Sequence, residues 1–302
     1  MVRRMNSALT GRIVKATGGF YYVDIPAGTG FERIECRGRG GLRNRGLTPL
    51  VGDMVLVERS EDGRGSVAEL LPRANSLVRP PLSNLDRMVL VLSVADPAPN
   101  LLVADTYLAI LAHREINPLI AITKSDLAPC DDLQSIYAGA GFPVYVISPD
   151  EGIDELNAAL ASGISAFCGN SGVGKSTLLN RIHPQLGLAT GQTSKKLGRG
   201  RHTTRHVELL YLPNGGLVAD TPGFSSLEML RMGHIPKEDL QLCFIEFAPY
   251  LGKCRFNDCS HTAETGCAVL QALAGGEIAP TRHESYRALY AQAKEVREWE
   301  HK

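Results

Sequence analysis

The 302-residue sequence predicts a multi-domain protein with an all-β barrel, an α/β domain and a small, mainly α C-terminal domain, in that order. Three patterns predict this class: short strand-like runs between Gly-rich turns, apolar strands alternating with helical segments, and a Cys/His cluster followed by a helical repeat. The hydrophobic content of 44% is sufficient for such cores. We expect the domains to cover residues 1–72, 73–235 and 236–302.

The first domain contains four short strand-like runs, Phe20–Ile25, Arg33–Arg37, Met54–Glu58 and Ser66–Leu71. Their length, spacing and partial alternation favour a small barrel of the OB or SH3-like kind. A β-domain with no specific role stays open as an alternative. Arg73–Pro81 is interpreted as a linker.

In the middle domain, apolar runs alternate with helical stretches such as Leu101–Arg114 and Thr177–Ile182. This alternation indicates βαβ units and a mostly parallel sheet covered by helices. The predicted strands are Met88–Ala95, Leu119–Thr123, Val144–Ser148, Ile164–Cys168 and Leu217–Asp220.

The C-terminal domain is predicted to end in a helix. Thr281 and Glu284 have the spacing of a capping box after Pro280. Apolar residues then recur at helical spacing, namely Tyr286, Leu289, Ala293, Val296 and Trp299.

Charge and targeting signals say little about function. Lys plus Arg and Asp plus Glu are equal at 32 each, although residues 192–206 carry five basic residues and no acid. A basic stretch of this kind attracts polyanions or forms a solvated face. Residues 1–11 do not resemble a signal peptide, and the longest apolar run, Met88–Ala95, is too short to cross a bilayer. We expect a cytoplasmic protein without membrane association.

One stretch matches the phosphate-binding pattern G-x-x-x-x-G-K-[ST] between a predicted strand and a predicted helix, the context that the motif requires. Glycines allow backbone N–H groups to converge on phosphates, and the helix adds its positive end. Lys175 is expected to contact the β- and γ-phosphates and Ser176 to bind Mg²⁺. A chance Gly-rich turn is the alternative. The predicted nucleotide contacts are Gly169, Asn170, Ser171, Gly172, Val173, Gly174, Lys175, Ser176 and Thr177.

Two further motifs complete a nucleotide site. Asp220 and Gly223 form D-x-x-G after an apolar strand, where the Asp is expected to hold Mg²⁺ and the Gly N–H to meet the γ-phosphate. The run Thr123-Lys124-Ser125-Asp126 resembles the guanine motif N-K-x-D, in which the carboxylate accepts hydrogen bonds from N1–H and the 2-amino group of guanine. Thr replaces Asn at the first position, which alters one polar contact. Ser148 fits the loop that supports the base.

The order of these motifs is inverted relative to Ras-like GTPases, because Asp126 precedes Gly169. A circularly permuted GTPase domain accounts for this order. The sequence resembles the ribosome small-subunit-dependent GTPase family over nearly its whole length, in motif order and domain sequence. The resemblance implies an N-terminal OB-fold, a C-terminal zinc domain, and GTP hydrolysis stimulated by the 30S ribosomal subunit late in its assembly.

Cys254, Cys259, His261 and Cys267 have the spacing C-x4-C-x-H-x5-C. Three thiolates and one imidazole suit a closed, tetrahedral structural zinc site, and the spacing matches the zinc motif of the resembled family. Unligated cysteines are the alternative. The other four cysteines are expected to be ordinary core residues, namely Cys36, Cys130, Cys168 and Cys243.

Phe224 follows the D-x-x-G motif, where a Ras-like enzyme has the Gln that orients water. The resemblance implies that another group positions the water, and His202 is our candidate, with a surface histidine as the alternative. Thr204, or else Thr203, is expected to bind Mg²⁺ from the same loop.

The predicted partners are GTP and GDP, the 30S subunit and its rRNA, and the protein is expected to be monomeric. Two alternatives to this function stay open: a GTP-regulated RNA-binding scaffold with little turnover, and a permuted GTPase that acts on the large subunit or another RNA.

Overall fold

A computed structural model describes residues 8–39, 46–60, 63–77, 80–188, 207–220 and 235–295, with the side chain of Asp220 excluded. The described residues divide into two compact units. The first comprises the described residues up to Asp86 together with 160–166 and 207–220, and the second comprises 87–159, 167–188 and 235–295. None of the described helices is long and apolar enough to cross a membrane.

A closed five-stranded barrel forms most of the first unit. Its strands pair in the ring β1–β2–β3–β5–β4–β1, in which only β3 and β5 run parallel. Alternate residues point inward, so Ile13, Val23, Ile34, Val55 and Val67 are almost fully buried. The predicted barrel is therefore confirmed. The strands are β1 (Leu9–Thr17), β2 (Phe20–Ala27), β3 (Gly30–Gly38), β4 (Met54–Arg59) and β5 (Gly65–Leu70).

The segment predicted as a linker packs against the barrel instead. Asp53 is fully buried, and a buried carboxylate needs a charged partner. Arg73 supplies it, with Nε 2.7 Å from Asp53 Oδ1, and its Nη2 also donates to the carbonyl of Thr48. The short strands β6 (Ser76–Leu77) and β7 (Leu82–Ser83) then pair with each other.

Three more strands belong wholly or partly to the first unit: β11 (Ile164–Cys168), β12 (Glu208–Tyr211) and β13 (Leu217–Asp220). The β13 strand pairs parallel to β11 and antiparallel to β12. The β12 strand also pairs antiparallel with β1, where Lys15 Nζ lies 2.6 Å from Glu208 Oε2.

The second unit contains a parallel sheet, as the alternating pattern predicts. The order is β10 (Val144–Ile147), β9 (Asn117–Thr123) and β8 (Arg87–Ser93), with β9 paired parallel to both neighbours. Residues of β8 from Met88 to Val91 are fully buried, as expected of a strand covered on both faces. The accompanying helices are α1 (Leu101–His113), α2 (Asp131–Gly139), α3 (Ile153–Ala159) and α4 (Lys175–Ile182).

The C-terminal part of the second unit is mainly helical, with α5 (Lys237–Leu240), α6 (Ala268–Ala274) and α7 (Pro280–Glu295). Phe247 and Tyr286 pack ring to ring in its core. The capping box predicted for α7 is wrong. The helix begins at Pro280, whose missing N–H costs nothing in a first turn. Thr281 therefore lies inside the helix, and its Oγ1 is buried without a hydrogen-bond partner in the described structure.

A buried cluster of charges joins α7 to α1. Arg282 donates from Nη1 to Asp105 Oδ1 at 2.7 Å, and from Nε and Nη2 to the two carboxylate oxygens of Glu246 at 2.7 and 3.0 Å. Its guanidinium also lies 4.6 Å from the ring centre of Phe244. Burial alone would lower the pKa of Arg282, but Glu246 and Asp105 outweigh it and raise that pKa. The cation therefore stays charged in an almost dry site.

Candidate nucleotide and metal sites

The backbone of the phosphate loop has the positive φ angles that are typical of an anion-binding loop. Gly169, Gly172 and Gly174 have φ values of +142°, +87° and +94°, a region that residues with a side chain rarely adopt. A Cβ at Gly169 would lie 2.4 Å from the carbonyl oxygen of Val91. The glycines of the motif therefore meet a steric requirement of the loop.

Lys175 begins α4 and folds back over this loop. Its Nζ donates to the carbonyls of Gly169 and Asn170, at 2.6 and 2.7 Å. Burial lowers the pKa of Lys175, because it disfavours the charged form of the side chain. An anion bound beside Nζ would oppose this effect, because a neighbouring negative charge favours the charged form. Ser176 lies in the same first helical turn, where its hydroxyl can serve as a Mg²⁺ ligand. Asn170 Oδ1 is buried and lacks a hydrogen-bond partner in the described structure.

Thr123, the residue that replaces Asn in the guanine motif, ties that motif to the phosphate loop. It is buried at the end of β9, with Oγ1 2.6 Å from the carbonyl oxygen of Val173 and 3.1 Å from that of Leu92. A hydroxyl has a single hydrogen to donate, and the shorter distance is to Val173. The sequence led us to expect that Thr in place of Asn alters one polar contact. In the structure, the Thr123 hydroxyl makes a hydrogen bond to the main chain of the phosphate loop.

The rest of the guanine motif forms a tight turn. Lys124 has a φ of +59°, and its Nζ donates to the carbonyl of Asp96. Asp126 follows with an exposed side chain, as a carboxylate needs in order to meet a ligand. Ser125 Oγ donates to the carbonyl of Ile147 at 3.2 Å, at the end of the neighbouring strand β10.

Ser148 begins a second turn directly after β10. Its N–H donates to the carbonyl of Glu151, and the N–H of Glu151 donates to Ser148 Oγ at 3.0 Å. The carboxyl ends of parallel strands meet at one edge of a sheet, which is where α/β proteins bind ligands. The structure therefore brings together 169–177, 123–126 and Ser148 within the second unit.

Several predicted residues cannot be placed. His202, Thr203 and Thr204 lie in 189–206, and Gly223 and Phe224 lie in 221–234, outside the described residues. The backbone of Asp220 pairs with Glu208 at the end of β13. The predictions for water positioning and for the Mg²⁺ ligands Thr204 and Asp220 therefore stay predictions.

The four predicted metal ligands converge. The ligand atoms of Cys254, Cys259, His261 and Cys267 all lie within 4.8 Å of one another. His261 Nδ1 is 3.5 and 3.4 Å from the sulfurs of Cys254 and Cys267. Its Nε2 lies 2.8 Å from Gln241 Oε1, which accepts a hydrogen bond from the Nε2–H group and so leaves the Nδ1 lone pair available for a metal. This donor set fits a structural zinc ion.

The remaining cysteines are mostly core residues, as predicted. Cys36, Cys168 and Cys243 are buried, and burial raises the pKa of the Cys168 thiol to about 12, which makes it unreactive. Cys130 departs from the prediction, because it lies half-buried just before α2.

Fold and site together define a circularly permuted phosphate-loop GTPase. The family model for the RsgA GTPase matches residues 70–230, and that for the RsgA N-terminal domain matches residues 10–67. The chain belongs to the RsgA GTPase family, and it is a GTP hydrolase.

Individual relatives are similar over almost their whole length. The small ribosomal subunit biogenesis GTPase RsgA of Halalkalibacterium halodurans is 45% identical, with 94% of this chain and 97% of the relative covered. The protein of that name from Bacillus subtilis is 40% identical at the same coverage. The crystal structure of YloQ, a circularly permuted GTPase, gives a TM-score of 0.79 at 35% identity over 97% of this chain and 98% of that one. YjeQ from Thermotoga maritima gives 0.81 at 34% identity, with 96% and 100% covered.

Proposed function

We propose that this GTPase acts in biogenesis of the small ribosomal subunit and that the 30S subunit stimulates its GTP hydrolysis. The names of the relatives support this role. Within the chain, the hydrogen bond from Thr123 to Val173 supports the nucleotide-binding part of this proposal, because it connects the turn proposed to bind guanine to the phosphate loop. The fold would then comprise a barrel in 1–72, the GTPase domain in 73–235 and a zinc domain in 236–302.

Each part of the site has a distinct task. Asp126 would accept the two donor groups on the Watson–Crick edge of guanine, which adenine lacks, and Ser148 would support the base from its turn. Lys175 and the backbone of 169–177 would neutralise the phosphates. Ser176, Thr204 and Asp220 would hold Mg²⁺, which offsets the charge that develops on the phosphate oxygens.

The base assignment can be tested by replacing Asp126 with Asn. Asn presents a donor where guanine also presents donors, so GDP affinity should fall by about 100-fold or more, the loss of roughly two charge-assisted hydrogen bonds. Xanthine carries a carbonyl at that position, so XDP affinity should rise. Asp132→Asn, an exposed acid on α2, is the matched control. Unchanged GDP binding by Asp126→Asn would refute the assignment.

Water positioning is assigned to His202, because the phenyl ring of Phe224 cannot orient water. His202→Ala should lower 30S-stimulated turnover at saturating GTP and leave GDP affinity unchanged. His113→Ala removes an exposed histidine of α1 and serves as the control. If stimulated turnover of His202→Ala equals that of the control, another group positions the water.

The contact with 30S would be made in part through rRNA phosphates, by the basic run in 192–206 and by the barrel. On the barrel, exposed Phe31 stacks on Tyr211 with ring centres 4.7 Å apart, a platform suited to an unpaired base. The protein would be a cytoplasmic monomer with one structural zinc.

Cosedimentation with isolated 30S and 50S subunits in a non-hydrolysable GTP analogue tests the partner. Binding to 30S with stimulated turnover supports the proposal. Binding to 30S without turnover would favour the alternative of an RNA-binding scaffold, and binding to 50S alone would refute the small-subunit role.

A further inference from the structure

The last turn of α4 carries an arginine that no nucleotide motif includes. Arg181 Nη1 donates to the carbonyl oxygen of Ser148 at 2.6 Å, across 33 positions of sequence. The bond is partly buried, and a charged donor at this distance makes one of the stronger hydrogen bonds found in proteins. Through it, the helix that starts at Lys175 contacts the turn assigned to the base.

The turn leaves that carbonyl available to Arg181. In an ordinary β-turn, the carbonyl of Ser148 would accept a hydrogen bond from the N–H of Glu151. Here the N–H of Glu151 donates to Ser148 Oγ instead. Pro149 at the next position also lacks an N–H and fixes its own φ, which favours this turn.

We propose that Arg181 is a positioning residue for the purine base: it fixes the Ser148 turn relative to the phosphate loop and thereby sharpens the preference for guanine over adenine. The inference rests on the assignment of Asp126 and Ser148 to the base under the proposed function. Two side-chain hydrogen bonds fix the end of β10 and the turn that follows it. Ser125 donates to the carbonyl of Ile147, and Arg181 donates to the carbonyl of Ser148.

The geometry separates this role from phosphate binding. Lys175 and Arg181 are six residues apart on one helix, which is about 9 Å along its axis. Removal of the Arg181 side chain should therefore free the Ser148 turn and leave the phosphate loop unchanged. ADP would be held chiefly through its phosphates at the phosphate loop, so its weak binding should not depend on the Ser148 turn.

The test measures dissociation constants of Arg181→Leu for GDP and ADP, together with steady-state GTP hydrolysis. We expect GDP affinity to fall about tenfold, through faster dissociation, with ADP affinity unchanged. KM for GTP should rise by a similar factor, with kcat changed less than twofold. Arg181→Gln retains a neutral donor and should recover most of the GDP affinity. Arg287→Leu, an exposed arginine on α7, is the matched control.

Two results would overturn the proposal. Equal losses for GDP and ADP would mean that Arg181 supports the helix as a whole, and unchanged GDP affinity would mean that its hydrogen bond has no role in binding. Failure of Arg181→Gln to recover affinity would also count against the hydrogen bond. Asp126→Asn measured in parallel tells the failures apart: if it keeps the preference for GDP over ADP, the base assignment itself is wrong.

Discussion

The buried charge cluster around Arg282 allows a quantitative prediction about stability. The side chains of Arg282 and Asp105 are each 1% exposed and that of Glu246 is 4% exposed, so water does not solvate any of the three charges. Removal of one member of a buried ion pair costs about 3–5 kcal/mol, because its partner is left charged and dry. Arg282→Met removes the cation from two carboxylates while retaining apolar bulk, so we expect a loss of at least about 3 kcal/mol.

The loss should depend on pH. Burial raises the pKa of Asp105, and Arg282 opposes that rise. Without Arg282 the pKa rises further, so the folded state binds more protons than the unfolded state above the ordinary carboxyl pKa of about 4. Unfolding free energy then decreases with rising pH in the variant. The difference from the wild type should be larger at pH 8 than at pH 5.

Urea unfolding of the full chain, followed by circular dichroism at both pH values, measures this difference. Arg287→Met on the same helix is the control, and an exposed site of this kind should change stability by less than about 0.5 kcal/mol. A loss below about 1 kcal/mol for Arg282→Met, or one that is larger at pH 5, would refute the reasoning.

Three further predictions concern the nucleotide site, the metal cluster and a glycine that packs against β10. Thr123→Val removes the donor to the carbonyl of Val173 and should weaken GDP binding by about 1–2 kcal/mol in a fluorescent-nucleotide assay, whereas Thr123→Asn should bind normally. Cys259→Ser should lower the bound zinc, measured by elemental analysis, and reduce the thermal stability of the C-terminal helices. Gly152→Ala should destabilise the protein by more than about 1 kcal/mol in thermal unfolding, because its φ is +82° and a Cβ would lie 1.9 Å from the carbonyl oxygen of Val146.

Local patterns predicted most of the fold. Alternation along β2 to β5, apolar runs at β8 and β9, and the ligand spacing around His261 depend on neighbouring residues, so they can be recognised in the sequence. The segment that begins at Arg73 is wrongly predicted as a linker, because its packing on the barrel depends on the ion pair between Arg73 and Asp53. These two residues lie twenty positions apart. A linker and a packed segment with polar residues have the same local composition.

The long-range contacts of the fold and of the site left no signal in the sequence. Arg282 and Asp105 are 177 positions apart, and Arg181 has the local context of any helical arginine. A buried arginine becomes recognisable only when its carboxylate partners are known. The same holds for Gln241, whose contact with His261 Nε2 leaves the Nδ1 atom facing the sulfurs of Cys254 and Cys267.

Thr123 shows how the structure changes the interpretation of a motif. From the sequence, Thr in place of Asn weakens the match to a guanine motif. In the structure the residue is buried and donates to the carbonyl of Val173, so its task is to hold the end of β9 against the phosphate loop. A hydroxyl meets that requirement. Under the proposed function, discrimination of the base falls to the exposed carboxylate of Asp126 and to the Ser148 turn, so a departure at the first position is compatible with guanine binding.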